Sequence, residues 1–174
     1  MVGKVVALVL GVVVVGALVV AFLAVVPSPA TCTPDVAVGS AADARAKWDA
    51  WAVKAPPASV TFTEADATAV LRDQAKDLAI KDPVVHFCSN GTVQLSFTYP
   101  AGPLSIKGVA TGTVQATSPL TVTIDTIAIG GLPSAVTDPV VGAVKDVASQ
   151  ASSLGLVGPV HAVQVSAGQA TISQ

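Results

Sequence analysis

The apolar and polar positions of the chain divide it into three parts with different patterns. Residues 5–26 carry no charged and no hydrogen-bonding side chain, and a helix of that length spans about 33 Å. A hydrocarbon core is about 30 Å thick, so this run is long enough to cross a membrane. Residues 27–39 contain three prolines and lack an apolar period. The pattern predicts a transmembrane anchor in residues 1–26, a Pro-containing spacer in residues 27–39 and an extracytoplasmic α+β domain in residues 40–174.

The orientation of this anchor follows from the positive charge that precedes it. Lys4 lies before the apolar run, and residues 27–30 after it carry no positive charge. The positive-inside rule then leaves the N-terminus in the cytoplasm and directs the domain across the membrane. We therefore predict a single-pass protein of the cell membrane with an extracytoplasmic domain. The alternative is a secretory signal peptide cleaved after Ala30, although residues 5–26 are longer than the apolar core of such signals.

The first helix of the domain is predicted to begin after Ser40. Its hydroxyl is a good N-cap, and Asp43 follows in the first turn. Trp48 and Trp51 share one face of this helix with Ala44. Two interpretations of the tryptophans stay open, because they can pack on the domain core or lie at the membrane interface.

A second helix is predicted to begin at Thr63, which forms a capping box with Asp66 three residues later. A short extended segment, residues 60–62, precedes it. The apolar stripe of this helix comprises Ala67, Val70, Leu71, Ala75 and Leu78. Acidic and basic residues alternate elsewhere on it, so we interpret that side as a solvated face.

From Pro83 onward the apolar period changes to two, which predicts an antiparallel meander of strands. Asn90-Gly91 is the strongest short signal for a hairpin turn. A long strand is predicted over residues 104–116. The following strand changes its apolar phase near Asp125-Thr126, which predicts a β-bulge there.

The last part of the chain returns to a helical period and then closes with two strands. A helix is predicted to begin near Asp138 or Pro139, where proline suits the first turn. A final hairpin turns at Ala167-Gly168. Helices before and after a run of antiparallel strands are typical of the α+β class.

The charge balance excludes one class of partner. The formal net charge is −2, and the basic residues are scattered along the chain rather than clustered. A nucleic-acid binder needs a basic patch, so we expect no nucleic-acid partner. A polybasic patch for anionic lipid headgroups is missing for the same reason.

The side chains that carry chemistry are sparse. His86 and His161 lie in predicted strands, and neither has a second ligand or base at the spacing of a metal site or a catalytic triad. Gly130-Gly131 lacks the surroundings of a phosphate-binding loop. Asp125 is the only acid of the meander. We therefore predict a protein that is not an enzyme and that has no catalytic residues, metal or cofactor.

The two cysteines, Cys32 and Cys88, both follow the apolar run. An even number of cysteines in an oxidising compartment favours a disulfide, and closing a loop of this size contributes about 4 kcal/mol. The alternative is two separate buried thiols.

Several segments after residue 60 resemble small membrane-anchored bacterial proteins of the tubular lipid-binding (TULIP-like) type. The matching segments are FTEADATAVL, SNGTVQLSF, LSIKGVATGTVQA, LTVTIDTIAIGGLPSAVTDPVVGAVKDV and VQVSAGQATIS. The cysteine pair and the tryptophan helix have no place in that pattern. The resemblance implies a curved antiparallel sheet packed on one or two helices, with an elongated groove for a lipid or another hydrophobic ligand.

Two functional hypotheses follow. The first is a membrane-tethered domain that binds a lipid or another hydrophobic ligand. Its candidate groove residues are Val70, Leu71, Val93, Leu95, Phe97, Leu104, Ile106, Val122 and Ile124. The second is a non-catalytic accessory or scaffold domain, cystatin-like or NTF2-like, that binds another protein of the cell envelope.

Overall fold

The computed structural model describes residues 30–74, 76, 79–101, 104–116, 121–129, 138–146 and 160–174. The described residues form an α+β fold of seven strands and three helices, which confirms the predicted class. In chain order the elements are α1 (Ala41–Ala52), β1 (Ser59–Thr63), α2 (Glu64–Gln74), β2 (Lys81–Phe87), β3 (Val93–Ala101), β4 (Leu104–Gln115), β5 (Thr121–Ile129), α3 (residues 138–146), β6 (Ala162–Ser166) and β7 (Gln169–Ser173).

The predicted transmembrane helix lies outside the described residues. Within the described ranges, no helix is both long and apolar enough to span a bilayer.

The strands form two antiparallel sheets, where the sequence predicted one. The meander β2-β3-β4-β5 is a four-stranded sheet, and β1-β7-β6 is a separate three-stranded sheet. The small sheet exists because the final hairpin pairs with β1, with Thr61 opposite Thr171, more than a hundred residues away in sequence. Apolar periodicity reports which face of a strand is buried but not which strand is its neighbour, so it could not separate the two sheets.

The small sheet packs on α1 through the two tryptophans. Asp43 N–H donates to the Ser40 hydroxyl at 3.2 Å, so the predicted N-cap is confirmed. Trp48 and Trp51 are both buried and pack with Ile172 of β7. We call these three residues and their neighbours the tryptophan cluster. Of the two interpretations of the tryptophans, the structure agrees with packing on the core.

The larger sheet buries its apolar face under α3. Val140 and Val144, one helical turn apart, are fully buried against Phe97 and Ala110 of the sheet. With Ile80 these residues form the aliphatic cluster. The aliphatic cluster is the larger of the two cores. Its helix, α3, contributes valines, whereas α1 contributes tryptophans to the other core. The aliphatic cluster lies on the face that carries most of the predicted groove residues.

Gly108 permits the closest packing in the aliphatic cluster. It lies opposite Phe97 in the β3–β4 pairing, and the Phe97 ring covers it. A Cβ atom at position 108 would lie 2.5 Å from Phe97 Cζ. The ring can pack so tightly on the sheet only because position 108 has no side chain.

The β-bulge predicted in the fourth strand of the meander is confirmed. In the β4–β5 pairing, Thr111 lies opposite Thr126 but Gly112 lies opposite Ile124, so Asp125 is the extra residue. The bulge returns the apolar side chains to one face, which explains why Ile124 and Ile127 both pack on the aliphatic cluster although their sequence spacing is odd.

Both predicted hairpin turns are present, and each uses a glycine in a left-handed conformation. Gly91 has a φ of +83° between β2 and β3, and Gly168 has a φ of +78° between β6 and β7. Residues with a Cβ atom rarely adopt this conformation, so these two glycines fix the positions of the turns.

Candidate functional site

Helix α2 runs along the free edge of β2 and satisfies its backbone. Glu64, Thr68 and Arg72 follow one another at four-residue intervals along the helix. They bind Phe87 N–H at 2.7 Å, Val85 N–H at 2.9 Å and Pro83 C=O at 2.9 Å, which are two residues apart on the strand. Four residues of helix rise about 6 Å and two residues of strand about 6.8 Å, so the two spacings match. Three side chains thus cover an edge that would otherwise be open to another strand.

The two sheets meet at the end of β2 where this docking begins. Gly168 N–H, in the turn of the small sheet, donates to the Phe87 carbonyl at 2.9 Å. The Gly168 carbonyl accepts from Glu64 N–H at 3.3 Å. The end of β2, the start of α2 and the β6–β7 turn therefore form one hydrogen-bonded corner.

Four polar side chains from three distant segments converge at this corner. We call Thr33, Glu64, His86 and Ser96 the junction cluster. Glu64 Oε1 accepts from the Thr33 hydroxyl at 2.7 Å. Thr33 Oγ1 lies 3.0 Å from His86 Nδ1, and His86 Nε2 lies 3.1 Å from Ser96 Oγ. Glu64 is 3% and His86 0% exposed, so their side chains form hydrogen bonds within the cluster instead of with water.

Thr33 both donates and accepts at the centre of the junction cluster. Its single hydroxyl proton goes to Glu64 Oε1, so Thr33 Oγ1 can only accept from His86 Nδ1–H. His86 Nε2 faces two oxygen atoms, Ser96 Oγ at 3.1 Å and Asp35 Oδ1 at 3.5 Å. The imidazole ring therefore links the start of α2 to β3 and to the segment that contains Asp35.

The segment of residues 31–39, which we call the strap, closes over this cluster. Cys32 forms a disulfide with Cys88 at the end of β2, which confirms the predicted bond. Cys32 N–H also donates to Gln94 Oε1 at 2.8 Å. Asp35 Oδ1 lies 3.5 Å from His86 Nε2 while its side chain stays largely exposed. The strap thereby attaches to β3, β2 and the start of α2 in succession.

The order serine, histidine, threonine, glutamate resembles a nucleophile, base and acid in series. A triad also needs backbone N–H groups aimed at the oxyanion that forms next to the nucleophile. Ser96 lies in the middle of β3, whose backbone pairs with β2 on one side and β4 on the other. Its neighbouring N–H groups are therefore committed to the sheet. The arrangement suits the attachment of the strap better than it suits acyl transfer.

The charged side of α2 was predicted to be solvated, and this prediction is wrong for part of it. Helix α1 docks there, with Lys47 Nζ 2.7 Å from Asp66 Oδ2 and Arg45 Nη2 2.7 Å from Asp73 Oδ2. Asp66 is buried and also completes the predicted capping box, because it accepts from Thr63 N–H at 3.1 Å and donates its own N–H to Thr63 Oγ1 at 3.2 Å. The helical period alone could not show that a second helix would cover these charges.

Two of these aspartates have shifted pKa values. Burial raises the pKa of Asp66, but hydrogen bonds from Lys47 and Thr63 and the Lys47 charge outweigh burial and hold the pKa below its usual value. Hydrogen bonds from Lys76 and then Arg45 lower the pKa of Asp73, whose side chain is 31% exposed. Lys47 and Arg45 of α1 thus each stabilise an ionised carboxylate of α2, and Lys76 adds to the effect at Asp73.

The predicted groove residues lie mostly on the face of the larger sheet that α3 covers. Phe97 belongs to the aliphatic cluster, and Leu71, Leu95 and Ile124 pack against it. Ile106 is buried, and Val70 and Val93 are half-buried. Leu104 and Val122 occupy positions in β4 and β5, where the backbone alone is described.

The residue pattern did not predict the junction cluster, although two features of the sequence bring some of its members together. The predicted disulfide brings Thr33 next to Cys88, and therefore close to His86 two residues earlier. The alternation in β3 also put Ser96 and Gln94 on one face. Glu64 could not be assigned in this way, because nothing in the sequence shows which strand α2 will flank.

Neither metal-ligating side chains nor similarity to known proteins indicates a function for the described part of the chain. Within the described part of the chain, no group of three or more His, Cys, Asp or Glu side chains could hold a metal ion. Comparison of the chain with protein-family models, with characterised proteins and with solved structures finds no match in any of the three.

Proposed function

We propose that residues 5–26 anchor this protein in a membrane and that its domain, on the extracytoplasmic side, binds a lipid or another hydrophobic ligand. The observation that carries the binding proposal is the apolar face of the larger sheet. There Phe97 and Ala110 meet a single short stretch of described helix, residues 138–146.

The tether is supported by the apolar run together with the disulfide. Disulfides persist in oxidising compartments and are rare where glutathione keeps thiols reduced. The Cys32–Cys88 bond lies six residues after the end of the apolar run. A span followed at once by a disulfide-bonded domain suits a protein whose chain is exported while its N-terminus stays in the membrane.

The ligand class is supported by the chemistry of the apolar face. Apart from Phe97 and Tyr99 its side chains are aliphatic or small, and the half-buried Leu71, Leu95, Ile127 and Ile129 surround the fully buried residues. A long hydrocarbon chain needs such a surface, with few hydrogen-bonding groups along it. The resemblance to TULIP-like proteins noted in the sequence suggests the same ligand class.

A photocrosslinking experiment tests this proposal in the full chain. p-Benzoylphenylalanine replaces Tyr99, which packs beside the aliphatic cluster, or its neighbour Thr98, which alternation directs to the opposite face. Cells that express either variant are fed an alkyne-tagged fatty acid and irradiated. We expect lipid adducts at position 99 and a strongly reduced yield at position 98.

The two positions are matched because both are half-buried in the same strand. Equal lipid labelling at both would indicate contact with bulk membrane and would contradict a dedicated site. The absence of lipid adducts at position 99, in a variant with the near-ultraviolet circular dichroism of the wild type, would also contradict it. A discrete protein adduct in place of the lipid would favour the accessory-domain hypothesis.

A further inference from the structure

We propose that the Cys32–Cys88 disulfide limits the distance between the domain and the membrane, because it fixes the point at which the chain after the apolar run attaches to the domain. This inference rests on the proposed function, because it requires that residues 5–26 hold the chain in a bilayer. It adds a role for the disulfide that goes beyond stabilising the fold.

Polar contacts and this covalent bond attach the strap to the domain. No residue of the strap is buried, and Val36 and Val38 expose 37% and 43% of their surface. Its contacts with the domain body are the disulfide, the Cys32 N–H bond to Gln94, the Thr33 and Asp35 contacts at the junction cluster, and Gly39 N–H to the Ala65 carbonyl at 3.1 Å.

Such a segment has no fully buried apolar side chain to hold it in place. Each hydrogen bond contributes only a small net amount, because water competes for the same groups. The disulfide, in contrast, cannot dissociate in an oxidising compartment. Its loss would leave Ser40, the N-cap of α1, as the first residue that the helical core holds firmly.

The length of free chain depends strongly on that bond. With the disulfide in place, the five residues 27–31 join the apolar run to the domain and reach at most about 20 Å. Without it, as many as thirteen residues, 27–39, separate the apolar run from Ser40, and a chain of that length reaches at most about 48 Å. The disulfide therefore holds the end of β2 close to the bilayer surface.

Energy transfer from the native tryptophans measures this distance. Trp48 and Trp51 are the only tryptophans of the chain and both belong to the domain core, so they report the position of the domain. The full-length protein is reconstituted in phosphatidylcholine nanodiscs that contain dansyl-labelled phosphatidylethanolamine. We expect transfer to fall in Cys32→Ser, and by the same factor in Cys88→Ser, because the chain between the apolar run and the first firm attachment lengthens from five residues to as many as thirteen. Thr33→Val, which keeps the disulfide, should leave transfer unchanged.

Two insertions test the idea without removing the disulfide. Six Gly/Ser residues are inserted either after Ser28, within the proposed tether, or after Ala37, beyond the Cys32 attachment. Only the first insertion should lower transfer in the oxidised protein. In the Cys32→Ser background both insertions should lower it further and to the same extent.

The outcomes separate this inference from the proposed function. A protein that leaves the membrane fraction on carbonate extraction would contradict the anchor, and with it both proposals. A protein that stays in the membrane but shows equal effects of the two insertions would contradict the role of the disulfide alone. Unchanged transfer in a folded Cys32→Ser protein would do the same.

Discussion

The aliphatic cluster and the junction cluster hold neighbouring parts of this domain by opposite means. In the aliphatic cluster, Phe97, Val140 and Val144 exclude water through contacts that have no required direction. In the junction cluster, Thr33, Glu64 and His86 each need one partner at a defined atom. The first kind of region is destabilised chiefly by a change of volume. The second is destabilised chiefly by the loss of one donor or acceptor.

The difference also lies in which parts of the chain each region joins. The aliphatic cluster assembles strands of one meander with a helix that follows it. The junction cluster joins the strap, the start of α2 and the β2–β3 hairpin, and it lies where the two sheets meet. Apolar packing therefore builds each half of the domain, and polar bonds together with one disulfide attach the strap to it.

The largest effect is expected from truncating an apolar anchor. Trp51→Ala removes a side chain that is 1% exposed, and we expect it to lower the free energy of unfolding by about 3–5 kcal/mol. Urea denaturation followed by far-ultraviolet circular dichroism measures the change.

Trp51→Phe is the matched variant for this test. The Trp51 indole N–H is buried and has no hydrogen-bond partner among the described residues, so its removal relieves a cost while some packing is lost. We expect a net loss of about 1 kcal/mol. A loss as large as that of the alanine variant would mean that the indole N–H has a partner. Val53→Ala, at a position 85% exposed, should have almost no effect.

For the junction cluster, the substitution with the largest expected effect is Glu64→Ala. It leaves Phe87 N–H and the Thr33 hydroxyl without their acceptor in a buried site, and we expect a loss of about 3 kcal/mol. Amide hydrogen exchange at Phe87 should accelerate with it.

Thr68→Val provides the comparison on the same helix edge. It removes one acceptor, that of Val85 N–H, and keeps the shape of the side chain, so we expect a loss of about 1 kcal/mol. Equal effects of the two variants would show that Glu64 contributes no more than any other edge contact, and would contradict a special role for the junction.

Adding volume to the aliphatic cluster is the third test, whereas Trp51→Ala removes volume from the tryptophan cluster. Gly108→Ala introduces a Cβ atom 2.5 Å from the Phe97 ring, and we expect a loss of about 2 kcal/mol as the ring is displaced. Combining it with Phe97→Leu should recover part of that loss, because the shorter side chain vacates the space.

Gly142 in α3 is the control for glycine replacement. A Cβ atom there meets no atom within 4 Å, so Gly142→Ala should stabilise the protein by up to about 1 kcal/mol through helix propensity. If Gly108→Ala proved as harmless, the Phe97 ring would have to be free to move, and the tight packing of this face would be disproved.

The same contrast explains what could be predicted from the sequence. The helices, the hairpin turns at Gly91 and Gly168, and the bulge at Asp125 follow from local signals and were all predicted. The separation into two sheets was not, because it depends on β7 pairing with β1 across the length of the domain. The junction cluster was missed for a similar reason. Its members are polar residues without periodicity, and only the fold shows that Glu64 and His86 meet.

The smallest change in the free energy of unfolding is expected at the contact between α1 and α2. Asp66→Asn removes the charge that Lys47 pairs with and weakens the capping box, and we expect a loss of about 1 kcal/mol at neutral pH.

The pH dependence of that loss distinguishes a charge effect from a packing effect. The folded-state pKa of Asp66 lies below its usual value, so the folded state favours the ionised form. The stabilisation is therefore complete above the unfolded-state pKa of about 3.9 and declines as the pH falls through the folded-state pKa. Urea denaturation of wild type and Asp66→Asn from pH 7 to pH 2.5 should give curves that differ at neutral pH and converge in acid. Curves that remain parallel would assign the loss to altered packing between α1 and α2, and the contact would then belong with the apolar clusters rather than with the junction.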